Sequence, residues 1–238
     1  MPDLALDAST ALVTGASRGI GRAVAGRLSD AGARVFLVSR GGAALDAAAD
    51  AVGGVAIAAD VSDESAIAAL AARVRQEVGG VPDIVVNSAG AFALAPLAET
   101  PTRMFDEQLA VNLRGPFLAI QAFLPGMLAR RSGHIVTVGS VAGRQAFPDN
   151  GAYSASKFGV RGLHAVLDTE IRGTGVRATL VEPAATDTPL WDAIDRERHG
   201  DLPPREAMLP AAAVADAVLY ALTRPAGVAV RAIVLERA

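Results

Sequence analysis

Short apolar runs and longer stretches of helical period alternate along the 238-residue chain. The runs Thr10–Thr14, Val35–Ser39, Val55–Ala59, Ile84–Val86, Ile135–Gly139 and Val176–Val181 read as strands, and Val228–Leu235 reads as a seventh. Helical segments separate them, the clearest being Arg22–Ala31 closed by Gly32, a long stretch Thr102–Leu128, the proline-free Ala152–Ile171, and Ala211–Thr223. Strand and helix in alternation predict an α/β fold, a doubly wound parallel sheet of about seven strands with helices on both faces. At this length one undivided domain spanning 1–238 is expected.

Composition narrows the choice of partner. A hydrophobic content of 51% suffices for a substantial core, while a net charge of -3 with no more than two adjacent arginines argues against nucleic acid or an anionic membrane surface. A small molecule is the expected partner. The absence of cysteine excludes disulfides, thiolate metal sites and a cysteine nucleophile. The opening residues 1–7 carry acids where a secretory signal carries cations, and no uncharged apolar run reaches membrane-spanning length, so a soluble cytoplasmic protein is expected. His134, His164 and His199 lack ligand spacing, and no metal site is expected.

Two stretches carry candidate chemistry. Tyr153 and Lys157 are four apart in a predicted helix, hence on one face and one turn apart. A free phenol titrates near ~10, so proton exchange near neutral pH requires acidification by roughly 3 units, which a neighbouring ammonium supplies in part. Of the 22 lysines and arginines, Lys157 is the only lysine. Its compact ammonium fits between a phenol and a sugar hydroxyl where a planar guanidinium would not. Taken alone, the spacing also fits an exposed helical lysine beside a half-buried tyrosine. The second stretch, Gly15-Ala-Ser17-Arg18-Gly19-Ile20-Gly21, joins the first strand to a helix. Glycines there let the backbone approach a pyrophosphate, and the free N–H groups of the helix start face its charge.

The spacing Thr-Gly-x-x-x-Gly-x-Gly at 14–21, with Tyr-x-x-x-Lys at 153–157, resembles the short-chain dehydrogenase/reductase family, and the likeness runs from Thr10 to the last strand. It implies a Rossmann-type fold and hydride transfer between a nicotinamide and a carbonyl or secondary alcohol. Tyr153 would be the acid in reduction and the base in oxidation. Ser140, 13 residues earlier at a strand end, would steady charge on the substrate oxygen, and Lys157 would hold the nicotinamide ribose and acidify the phenol. Asn112 stands where the family opens its helix and holds a water in a proton relay.

The resemblance also implies a cofactor set. Gly15, Ser17, Arg18, Gly19, Ile20 and Gly21 form the phosphate loop, and Asp60 with Val61 meets the adenine, Asp60 being open to the alternative of a turn acid ahead of Ser62 as helix cap. Asn87-Ser88-Ala89-Gly90 matches the family's Asn-Asn-Ala-Gly, with Asn87 bracing the central strand. Pro183, Ala184, Thr186 and Thr188 fall on the nicotinamide side, where Ala184 replaces a glycine and constrains the backbone. Residues 188–210, with Pro203-Pro204 and the only tryptophan, resemble a mobile substrate lid. Phe92, Leu94, Val141, Phe147, Leu190 and Trp191 are candidate substrate contacts of apolar character, while Arg144 and Gln145 leave a carboxylate open.

A protein selecting NAD places an acid at the end of the second strand to accept from the ribose 2′-hydroxyl. That position is Ser39, followed by Arg40, with Arg18 inside the glycine loop, so NADP(H) is expected in preference to NAD(H). Two other readings compete. One is a 3-oxoacyl reductase acting on an acyl carrier protein, which needs a basic patch near the pocket mouth that Arg130, Arg131 and Arg172 could provide. The other is a nucleotide-sensing protein without catalysis. A homo-oligomer, dimer or tetramer, is expected.

Overall fold

A computed structural model describes residues 6–199 and 202–238. The acidic start at 1–5 and residues 200–201 of the expected lid lie outside the described residues. The first half runs β1 (Thr10–Thr14), α1 (Gly19–Asp30), β2 (Arg34–Ser39), α2 (Ala43–Val52), β3 (Val55–Ala58), α3 (Glu64–Val78), β4 (Ile84–Asn87) and α4 (Thr102–Leu109). The second runs α5 (Gly115–Arg130), β5 (Gly133–Val138), α6 (Gly151–Glu170), β6 (Val176–Pro183), β7 (Thr186–Asp187), β8 (Leu209–Pro210), α7 (Ala211–Leu222) and β9 (Ala232–Leu235).

Seven strands form one parallel sheet in the order β3-β2-β1-β4-β5-β6-β9. Side chains alternate between its faces with period two, and both faces are covered. Leu12, Phe36, Val85, Ile135 and Ala178 pack with α3, α5 and α6, whereas Ala11, Val35, Ile84, Val136 and Val181 pack with α1, α2 and α7. The chain leaves β1 for β2 and β3, then returns to β4 on the other side of β1. The carboxyl ends of β1 and β4 therefore diverge into a crevice.

Three expectations change. The stretch 102–128 is not one regular helix: α4 and α5 are joined by a π-helical turn, Ala110–Arg114, in which Gly115 N–H donates to Ala110 O, an opening at Asn112 of the kind the resemblance implied. Residue periodicity does not register the one extra residue in that turn. The last strand begins at Ala232; ahead of it Val230 O accepts from the Thr179 side chain at 2.6 Å and Val228 O from Arg177 Nη1 at 3.5 Å. The cap of α3 is Asp63 rather than Ser62, its carboxylate accepting from Ser65 N and Ala66 N. No helix among the described residues is long and apolar enough to cross a membrane.

Candidate active site

At the diverging strand ends lies a cleft of about 230 Å³. Gly15, Ser17, Arg18, Gly19, Ile20 and Gly21 line it after β1, Ser39 and Arg40 after β2, Asp60 and Val61 after β3, Ala89 and Gly90 after β4, and Thr188 from the far side. Ala59, Ser88, Ala91, Val111 and Pro189 line it too and were not singled out from the sequence, though each adjoins a residue that was. Leu190, expected against substrate, also borders this cleft.

The cleft has the chemistry a dinucleotide diphosphate requires. A Cβ on Gly21 would collide with the Gly15 carbonyl, so only glycine lets the loop fold back on the helix start. The amino end of α1 has no side-chain cap and no acid in its first turn, which leaves its N–H groups open to an anion. Arg18 and Arg40 stand exposed at the mouth. Asp60 Oδ1 accepts from Ser62 Oγ at 2.7 Å and Ser62 N at 2.9 Å; these bonds, with help from Arg40, hold the carboxyl below its usual range. Asn87, Pro183, Ala184 and Thr186 do not line the cleft. Asn87 Nδ2 is buried without a partner among the described residues, so the expected bracing is not seen. Ala184 has no positive φ, so its replacement of glycine strains nothing.

Tyr153, Lys157, Ser140 and Asn112 do not line this cleft; α6 carries Tyr153 and Lys157 one turn apart on one face. Lys157 is 5% exposed, its Nζ donates to Val138 O at 3.0 Å and lies 5.5 Å from the centre of the Tyr153 ring. Burial draws the ammonium down to about 8 and pushes the phenol up to about 12, a hydrogen bond with Ser140 pulling the latter the other way. The expected acidification of Tyr153 by Lys157 is therefore corrected for this state: burial dominates the phenol, only the Ser140 hydrogen bond opposes it, and the ammonium is engaged with a backbone carbonyl. Ser140 follows β5 by two residues and caps the turn Val141–Gly143, its Oγ accepting from Ala142 N at 3.1 Å.

Asn112 sits in the π turn, 1% exposed, as half of a clasp. Its amide exchanges two hydrogen bonds with the backbone of Ala91, at 2.8 and 2.9 Å, and Gln108, four residues earlier, does the same to Ala93 at 3.3 and 3.2 Å. Asn112 Nδ2 also donates to Ser156 Oγ at 3.0 Å, tying the clasp to α6. Phe92 is thereby presented to Tyr153, ring centres 4.8 Å apart and edge-on. Gln108 was missed in the sequence; a polar residue inside an amphipathic helix was its one signal.

Residues 9–199 match the family model described as short chain dehydrogenase. The chain belongs to that family. It is 37% identical over 245 residues to glycine betaine reductase ATRR of Emericella nidulans, an alignment covering 99% of this chain but only 19% of that protein's length. With D-threitol dehydrogenase of Mycolicibacterium smegmatis it shares 41% identity over 199 residues, 80% of this chain and 76% of that one. A metagenomic short-chain oxidoreductase solved in complex with NADP superposes with a TM-score of 0.83 at 34% identity, covering 98% of both chains. As a short-chain dehydrogenase the protein is an oxidoreductase of the nicotinamide-dependent kind.

In this short-chain dehydrogenase the segment after β6 is tied down at several points. β7 pairs with β8, and Arg205 bonds Asp187 at 2.6 Å, Asp192 at 2.5 Å and Thr188 O at 3.0 Å. Further along, Arg198 meets Glu99 and His199 Nδ1 meets Asp149 Oδ2, each at 2.7 Å. Trp191 donates to Thr186 O at 3.0 Å and stands edge-on to Phe92 at 4.9 Å, so Tyr153, Phe92 and Trp191 form one aromatic series. Phe147, by contrast, is exposed, while Leu94 and Val141 are half-buried. Arg144 is not free to select a carboxylate, because its Nε meets Glu182 Oε2 at 2.6 Å.

The basic patch expected at the pocket mouth is elsewhere. Arg130 donates to Val81 O and Pro82 O, Arg131 to Gly173 O, and Arg172 lies 3.6 Å from Asp168. All three stand where α5 and α6 end and β5 and β6 begin, at the amino-terminal end of the sheet, opposite the cleft. Among the described residues no three histidines or acids are grouped to hold a metal ion.

Proposed function

We propose that this protein interconverts a small uncharged carbonyl compound and its secondary alcohol, using NADP(H) in preference to NAD(H). The observation that carries the cofactor choice is Ser39 at the end of β2, flanked on one cleft by Arg40 and Arg18. No acid stands there to accept from a ribose 2′-hydroxyl, and two guanidinium groups suit a 2′-phosphate. A bound nicotinamide supplies the hydride donor or acceptor; the remaining steps belong to this chain.

In reduction Tyr153 gives its proton to the substrate oxygen, and in oxidation it takes that proton back. Ser140 donates a hydrogen bond to the same oxygen and spreads the developing charge. Lys157, with its ammonium drawn down to about 8, restores the proton to Tyr153 and exchanges its own through a water assigned to Asn112. The cofactor contacts proposed are Gly15, Ser17 to Gly21, Ser39, Arg40, Asp60, Val61, Ala89, Gly90 and Thr188, with Asn87, Pro183, Ala184 and Thr186 behind them. The segment 188–210 serves as the lid over the substrate.

An uncharged substrate is favoured by the aromatic series at Tyr153 and by the neutralisation of Arg144. The D-threitol dehydrogenase relative is in keeping with a small hydroxylated compound. A carrier-protein substrate is disfavoured because the three arginines stand at the opposite end of the strands from the cleft. Exposed Phe105, Phe117, Phe158 and Val166 on α4, α5 and α6 support a homo-oligomer. The test is a panel of ketones, 3-oxo acids and sugars assayed with each reduced cofactor. A higher kcat/KM with NADH than with NADPH would overturn the cofactor assignment.

A further inference from the structure

Glu182 is a buried acid that the proposed chemistry does not use. It lies on β6 just before Pro183, is 1% exposed, and turns its two oxygens to two different arginines. Oε2 takes Arg144 Nε at 2.6 Å, and Oε1 lies 3.6 Å from Arg161 Nε. These arginines come from the two segments that carry the reacting side chains. Arg144 closes the turn that opens at Ser140, and Arg161 stands on α6 one turn beyond Lys157. The strand itself is close by: Gly139 N–H donates to Val181 O at 2.7 Å, and the stem of Glu182 runs over Gly139. Turn and helix touch directly, since any side chain on Gly143 would strike the Lys157 carbonyl.

Burying a carboxylate against cations is a poor way to gain stability, because desolvation offsets much of the attraction and an apolar replacement is often neutral or better. A positional role explains why this acid is here. We infer that Glu182 is a positioning residue, which sets the spacing between Ser140 and the Tyr153–Lys157 helix by holding Arg144 with one oxygen and Arg161 with the other. The inference rests on the proposed reaction, in which Ser140 and Tyr153 must reach the same substrate oxygen. Misplacement by about 1 Å costs on the order of 100-fold in such sites.

Because substitution of Glu182 itself can impair folding, the two half-exposed arginines carry the test. Arg144→Ala, Arg161→Ala, the double variant and Arg144→Lys are compared with wild type for kcat, substrate KM and NADPH dissociation constant. Amide hydrogen exchange across Val141–Gly143 is followed in parallel. Each alanine variant should lose about tenfold in kcat with the NADPH constant unchanged, and Arg144→Lys should recover most of it. The double variant should be no slower than the worse single one, since both act through one carboxylate. Arg161→Ala should speed exchange in Val141–Gly143 although it lies on α6. Full kcat in both single variants overturns the inference, as do losses that multiply in the double variant, or a change confined to KM. If wild type turns over no carbonyl compound with either cofactor, the proposed reaction fails. The exchange arm then judges Glu182 by itself, and unaltered exchange in Arg161→Ala refutes the tie.

Discussion

Acid should unfold this protein earlier than its carboxylates alone would dictate, because two imidazoles are buried in neutral form. His134 on β5 is 2% exposed, and its Nε2 lies 2.8 Å from Thr179 Oγ1. That hydroxyl spends its proton on Val230 O, so Nε2 must be the donor and Nδ1 is left bare and unpartnered among the described residues. His164 on α6 is 5% exposed with neither nitrogen bonded among them. Burial pulls His134 down to about 3, with Arg177 and His164 adding to it, and pulls His164 down to about 4 against the opposing charge of Asp168. In the unfolded chain both take a proton near ~6.5. Their contribution is therefore intact above pH 6.5, declines as pH falls through that value, and is spent only below the folded values.

By pH 5 each imidazole costs about 2 kcal/mol, and the pair about 4 kcal/mol, a large part of the roughly 5–15 kcal/mol that holds a domain together. His164→Leu isolates one of them, replacing an unpartnered polar ring by an apolar side chain. Urea unfolding of both proteins, followed by circular dichroism at pH 7, 6 and 5, should show the fall in stability between pH 7 and 5 smaller by about 2 kcal/mol in the variant. At pH 7 the variant should be no less stable than wild type. If both proteins lose the same free energy over this interval, His164 is not buried neutral and the reasoning fails.

Tyr153→Phe should lower turnover by at least ~100-fold while leaving NADPH affinity nearly unchanged, since the phenol serves the substrate; steady-state kinetics with a binding titration checks both. Arg40→Asp should weaken NADPH binding by more than ~10-fold and improve use of NADH, by removing a charge-assisted bond and offering the ribose an acceptor. Comparison of kcat/KM for the two cofactors reads this, and an unchanged ratio would exclude Arg40 from the 2′-phosphate. The emission of Trp191, the only tryptophan, should shift when NADPH and a substrate analogue bind together, because its ring stands against Phe92 at the proposed reaction centre. An identical spectrum at saturation would mean that its surroundings are already those of the complex.

The alternation of strands and helices was legible because every central strand is buried on both faces and most helices, such as α1, α3 and α6, carry one apolar stripe, so local pattern and global fold agree. The glycine loop was legible for a similar reason: Gly21 is dictated by backbone contact, whatever the rest of the chain does. What depended on two distant segments was not. Arg144 reads in the sequence as a free cation and is in fact committed to Glu182, 38 residues away. Gln108 clasps Ala93 across a loop whose path no periodicity reveals. Arg130, Arg131 and Arg172 read as a patch from charge alone, whereas their place at helix ends puts them at the amino-terminal end of the strands. The desolvation of the Tyr153 phenol and the burial of Lys157, which reverse the expected shift of the phenol, likewise arise only when β5 and α6 come together.

The π turn at Ala110–Arg114 amounts to a one-residue insertion that the helix has absorbed instead of looping out. Deleting one residue there would let α4 run unbroken into α5 with regular hydrogen bonds. The gain in backbone regularity would come with a rotation of all of Thr102–Leu109 by about 100° about the helix axis. Gln108 would leave Ala93, the clasp on either side of Phe92 would open, and the stripe that α4 lays against α6 would face elsewhere. In this segment, then, a shorter chain makes a better helix and a worse reaction centre, and lengths that differ by a single residue are not interchangeable.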